Sequence, residues 1–162
     1  MKYHKVVLAG GNGYLGNVLA NYYKELAQEV IILSRKAAPA SGNVTTVVWD
    51  GRTQGHWVDY LNNADVLINL CGKNVNCRYT PKNKQEIIQS RVVPTALLGE
   101  VINTLSHPPK LWINVTSATI YRHAEDHAQD EATGEIGYGF SIDVCKQWEQ
   151  TFLMPLRRAP VR

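Results

Sequence analysis

The run Gly10-Gly11-Asn12-Gly13-Tyr14-Leu15-Gly16 has residue types and a spacing that can hold a pyrophosphate. Glycines at 10, 13 and 16 supply what such a group demands of a backbone. These are a tight turn, a stretch without side chains where phosphate oxygens approach, and close packing of helix on strand. Amide groups in the first turn of a helix have no acceptor within it and face an anion favourably. The alternative is a glycine turn with no ligand, and its setting argues against it. Val6-Val7-Leu8-Ala9 directly before the loop has the form of a buried strand, and the apolar residues after it recur at helical intervals. No Gly-Lys-Ser/Thr follows, which disfavours a nucleoside-triphosphate loop.

Dinucleotide choice is written about 20 residues further on, where an acidic side chain bonds a ribose 2′-hydroxyl. This chain has Ser34-Arg35-Lys36 there. A carboxylate would repel a 2′-phosphate, whereas a guanidinium pairs with it and stacks on adenine. The pattern predicts NADP(H) over NAD(H), the alternative being two solvated cations on a loop.

These residues need elements to position them. Val30 to Leu33, Val44 to Trp49, Val66 to Leu70 and Leu111 to Val115 repeat the short apolar form of the first strand. Between them, Leu15, Val18, Leu19, Tyr22 and Leu26 predict a helix with one stripe toward the sheet. Thr80-Pro81 opens a long helix through Leu105 that Pro94 should kink, and a last helix covers 141–152. Alternating strands and helices predict an α/β, doubly wound parallel sheet.

The 162 residues, 44% hydrophobic and 19% charged, suit one domain with a core and exclude a disordered chain. No apolar run approaches the roughly 18 residues of a membrane span, and the start predicts no signal peptide. Three cysteines without paired metal spacing argue against disulfide and zinc scaffolds, so a cytoplasmic setting is expected. The net charge of +3 is dispersed and points to no nucleic-acid partner. His123 and His127 stand four apart beside Glu125, Asp126, Asp130 and Glu131, which reads as a solvated acidic loop rather than a metal site.

The glycine loop, Asn69-Leu70-Cys71-Gly72 and Ser117-Ala118-Thr119-Ile120-Tyr121 together resemble the extended short-chain dehydrogenase/reductases. Trp49-Asp50, Arg78-Tyr79-Thr80, Ser90-Arg91-Val92 with Thr95, and Val144-Cys145 before Trp148-Glu149 are similar to an atypical branch, the NAD-dependent epimerase/dehydratase family proteins. The likeness runs from about residue 5 to about residue 152.

The resemblance implies a Rossmann-like NADP(H) domain over 1–152 and a nucleotide-sugar-like or small carbonyl/hydroxyl substrate. By position, Gly10, Gly11, Asn12, Gly13, Tyr14, Leu15 and Gly16 would meet the pyrophosphate, and Ser34 with Arg35 the 2′-phosphate. Asp50 would lie near the adenine, and Asn69, Leu70, Cys71 and Gly72 along the ribose. Ser117 would stand beside the reacting carbon, with Tyr121 as a hydrogen-bond donor to a carbonyl. On chemistry alone Asp50 is equally a turn residue before Gly51, Ser117 a cap and Tyr121 ordinary packing.

Two departures stand out. The family at large uses a tyrosine with a lysine four residues later, and none of the eight tyrosines here has one. Ser141 and Cys145 occupy those places. Secondly, the prolines and arginines after Phe152 cannot form a buried sixth strand. The expectation is an irregular basic tail over 153–162 and a C-terminal substrate lobe that is missing or altered, with the chain covering about half of a family member. The runner-up reading is a non-catalytic NADP(H) sensor or binding module.

Overall fold

Residues 1–156 are described by the computed structural model. The strands are β1 (Tyr3–Ala9), β2 (Ala27–Ser34), β3 (Val44–Val48), β4 (Val66–Asn69) and β5 (Leu111–Asn114). The helices are α1 (Tyr14–Lys24), α2 (Pro81–Ile102) and α3 (Phe140–Leu156), with short 3-10 turns at His56–Leu61 and Ala118–Ile120. All strands pair in parallel in the order β3-β2-β1-β4-β5, so the sheet is the Rossmann-like, doubly wound arrangement.

Both faces of the central strands are covered, which is why they read as continuous apolar runs. On one face Val7, Ala9, Ile31, Leu33 and Leu67 pack with Leu97, Leu98 and Val101 of α2 and with Trp57 and Leu61. On the other, Val6, Leu8, Val30, Ile32, Val66 and Ile68 pack with Ala20 of α1. Among the described residues no helix is long and apolar enough to cross a membrane.

Three expectations are corrected. The α1 stripe is only partly turned toward the sheet: Leu19 packs against it, but Leu15, Val18 and Tyr22 are 57%, 49% and 61% exposed, while Gly16 and Ala20 are buried. Close approach of Gly16 to the loop rotates the small residues inward. Secondly, α2 ends at Ile102 rather than Leu105 and carries Pro94 in its interior, where the ring is buried at the cleft side. Finally, residues 153–156 are helical, so the expected irregular tail does not begin at 153; its remainder, 157–162, lies outside the described residues.

Candidate functional site

The glycine loop divides its labour by position. Gly10 leaves β1 with φ +72, and a Cβ there would lie 2.9 Å from Cys71 Sγ and 3.1 Å from the Cys71 backbone. Its N–H donates to Leu33 O at 2.9 Å, and the next N–H, of Gly11, to Leu8 O at 3.2 Å, closing the turn. A Cβ on Gly16 would come within 2.0 Å of Gly11 O, so α1 sits directly on the loop. Gly13 differs, since a Cβ there meets nothing within 4 Å. No packing contact explains that glycine.

Gly13 is also the N-cap of α1, makes no side-chain cap bond, and is followed by a first turn without acidic residues. The first-turn amides therefore keep their partial positive charge for an external anion. Gly10, Asn12 and Gly13 line a cleft of about 1130 Å³. It lies at the carboxyl ends of β1 to β4, where the strand order reverses between β1 and β4.

Ser34, Arg35 and Lys36 form one wall. Ser34 is buried at the end of β2, and its Oγ accepts the Lys36 N–H at 3.2 Å, turning the two exposed cations outward. Asp50 lines the next wall, and the turn reading applies to it as well. Its carboxylate accepts the N–H groups of Arg52 at 2.7 Å and Thr53 at 2.8 Å, and the Thr53 hydroxyl at 2.8 Å. Those bonds, the Thr53 N–H first, hold its pKa below the usual carboxylate range.

Leu70, Cys71 and Gly72 form the floor, but Asn69 does not line the cleft. Its side chain is fully buried and donates to Thr95 Oγ1 and Asn114 Oδ1, while Oδ1 accepts the Cys71 N–H at 3.1 Å. Burial pushes the Cys71 thiol up to about 12, against the opposing charge of Arg35, which disfavours the thiolate. The opposite wall comes from one face of α2: Glu86, Gln89, Ser90, Val93 and Pro94. Helical spacing of these polar residues is the signal that would have revealed that wall in advance. Ser90 Oγ accepts the Lys73 N–H at 2.8 Å, and Arg91 Nη2 donates to Lys73 O at 3.1 Å, clamping the segment after β4.

Several expected residues stand apart from the cleft. Tyr14 and Leu15 are exposed, and Gly11 and Gly16 serve packing. Ser117 lies after β5, where its Oγ accepts the Thr119 N–H at 3.3 Å as the cap of a 3-10 turn. Tyr121 packs its ring against Gly134, and its hydroxyl is made harder to ionise by lost solvation, then by Glu131, Asp130 and Glu149. Neither lines the cleft. Cys145 is buried, with Sγ 3.6 Å from Thr119 Oγ1. In the acidic loop Arg122 pairs with Asp126 and Glu135, and His127 lies 3.1 Å from Asp126 Oδ2.

Residues 6–141 match the model of the NAD dependent epimerase/dehydratase family, and the chain belongs to that family. It is 29% identical over 154 residues to the human epimerase family protein SDR39U1, covering 93% of this chain and 50% of that protein. It is 28% identical over 145 residues to the epimerase family protein SH2119 of Staphylococcus haemolyticus, covering 89% of this chain and 48% of that protein. The crystal structure of human SDR39U1 (isoform 2) with NADPH superposes with a TM-score of 0.77 at 26% identity, over 98% of this chain and 50% of that one. The chain spans about half the length of the curated relatives it matches.

Proposed function

We propose that this chain is the NADP(H)-binding part of an epimerase/dehydratase-family oxidoreductase acting on a nucleotide-sugar-like or small carbonyl/hydroxyl compound. The observation that carries the reading is Gly13, whose open Cβ position lies at an uncapped helix start inside the cleft. The bound nicotinamide would supply hydride transfer. Gly10 to Gly13 would receive the pyrophosphate, Arg35 the 2′-phosphate, and Leu70 to Gly72 would border the ribose. The solved relative with NADPH supports NADP(H) as a ligand of the cleft.

A second reading, dinucleotide binding without turnover, is favoured by the proton chemistry. Tyr121 has Glu125 four residues on, and burial with three nearby carboxylates opposes its ionisation. A phenol so placed is a poor acid/base at neutral pH. Titration of tryptophan fluorescence with NADPH and NADH, followed by a carbonyl panel with NADPH, separates the readings. Binding plus substrate-dependent NADPH oxidation supports the enzyme, binding alone supports the module, and no binding rejects both.

A further inference from the structure

The two ends of the cleft differ in charge. At the α2 end Lys73 Nζ pairs with Glu86 and donates to Asn83 Oδ1 at 2.9 Å, so cation and anion cancel. At the β2–β3 end the lining cations are Arg35, Lys36 and Arg52. Among the described residues none of these three side chains takes part in an ion pair or hydrogen bond. Asp50 is the carboxylate at that end, and both its oxygens are used within its own turn.

We infer that Arg52 is a second ligand of the cofactor's 2′-phosphate, facing Arg35 across the β2–β3 exit; this rests on the NADP(H) reading of the cleft. Ser34 pairs with Val48 in register, and Trp49 N–H donates to Ser34 O at 3.0 Å. The two strands therefore leave the sheet side by side, and the segments carrying Arg35 and Arg52 begin about one strand spacing apart. The Asp50 turn fixes the Arg52 backbone through its N–H and leaves the exposed guanidinium to the cleft.

A phosphomonoester on the ribose carries between one and two negative charges at neutral pH, and two guanidiniums can share its oxygens. An acid that bonds a free ribose hydroxyl would have its oxygens open, whereas Asp50 has spent them on the turn. The same side chain that marks an NAD(H) site elsewhere in sequence thus serves here to place a cation.

The test titrates wild type, Arg52→Gln, Arg52→Lys and Arg35→Gln with NADPH and NADH, read by fluorescence of the four tryptophans, of which Trp49 borders the cleft. Arg52→Gln is expected to weaken NADPH about tenfold and NADH by less than about twofold. Its NADPH affinity should also depend less steeply on salt than that of wild type. Arg52→Lys should recover part of the loss. Unchanged NADPH affinity in Arg52→Gln, with a loss in Arg35→Gln, would overturn the role of Arg52 and leave the NADP(H) reading standing. Equal losses for both dinucleotides would also overturn it. Failure of wild type to prefer NADPH would remove the reading on which it rests.

Discussion

The Asn69 amide donates to the Thr95 hydroxyl at 2.9 Å, joining the end of β4 to the middle of α2 beneath the cleft floor. Trp148 Nε1 of α3 donates to the same oxygen at 3.0 Å, and the hydroxyl in turn donates to Arg91 O at 2.7 Å. One buried hydroxyl thus ties strand, two helices and, through Asn69 Oδ1, the Cys71 backbone. Thr95→Val keeps the shape and removes the hydroxyl, orphaning the Trp148 donor. A loss of about 2 kcal/mol in urea unfolding is expected, with Thr95→Ser losing less. A Thr95→Val protein as stable as wild type would contradict this account.

The glycines should separate binding from folding. Gly13→Val places its branched side chain in open space, so the fold should persist while dinucleotide binding is abolished. Gly16→Val drives a side chain into Gly11, and should lower stability by more than about 2 kcal/mol. Circular dichroism melts and NADPH titration on both variants check the pair. A folded Gly13→Val protein with normal affinity would refute the loop assignment.

Cofactor preference turns on the exposed guanidinium after β2. Arg35→Asp removes a charge-assisted contact and adds repulsion, so NADPH should weaken by more than about 2 kcal/mol while NADH is spared. Equal weakening of both, measured by calorimetry, would exclude contact with the 2′-phosphate.

Asp65 gives a pH-dependent stability. Its carboxylate accepts from Lys110 Nζ at 2.6 Å and from the His4 and Lys5 N–H groups, holding β1 against the entry to β5. Those contacts, Lys110 first, lower its pKa in the folded state. The stabilisation is therefore present above the unfolded value near about 3.9 and is lost as pH falls through the folded one. Asp65→Asn should cost only about 1 kcal/mol at neutral pH, because Lys110 is largely exposed and water screens its pairing with the carboxylate. The gap to wild type should close in acid; a constant gap would rule out this linkage.

Sequence reading succeeded where the physics is local. Strands buried on both faces appear as apolar runs, and a phosphate loop concentrates its glycines within one turn. It failed where partners are distant. Thr95 meets Asn69 and Trp148 across separations of 26 and 53 positions, so the buried strut that Asn69 forms was not legible. The α1 stripe was misread for a related reason: the approach of Gly16 to Gly11, not hydrophobicity, sets which face turns inward.

Ser117 brings the question of turnover to a single residue. Its hydroxyl caps the turn after β5 and shares a 2.9 Å contact with Thr119 Oγ1, outside the residues that line the cleft. Tyr138, 93% exposed, is followed four positions on by Ile142, and Tyr121, held against ionisation, by Glu125, so neither tyrosine has the lysine that would ease its proton transfer at neutral pH. Under the second reading, dinucleotide binding without turnover, the chain should bind NADPH with negligible reductase activity. Ser117→Ala should change nucleotide affinity by less than about 1 kcal/mol, since only a cap hydrogen bond is lost. In a relative of twice the length the equivalent change should lower turnover if, as the family resemblance implies, the serine after β5 stands beside the reacting carbon. Vigorous turnover by this chain, unaffected by Ser117→Ala, would show that its proton chemistry runs through groups other than these and that the serine only shapes its loop.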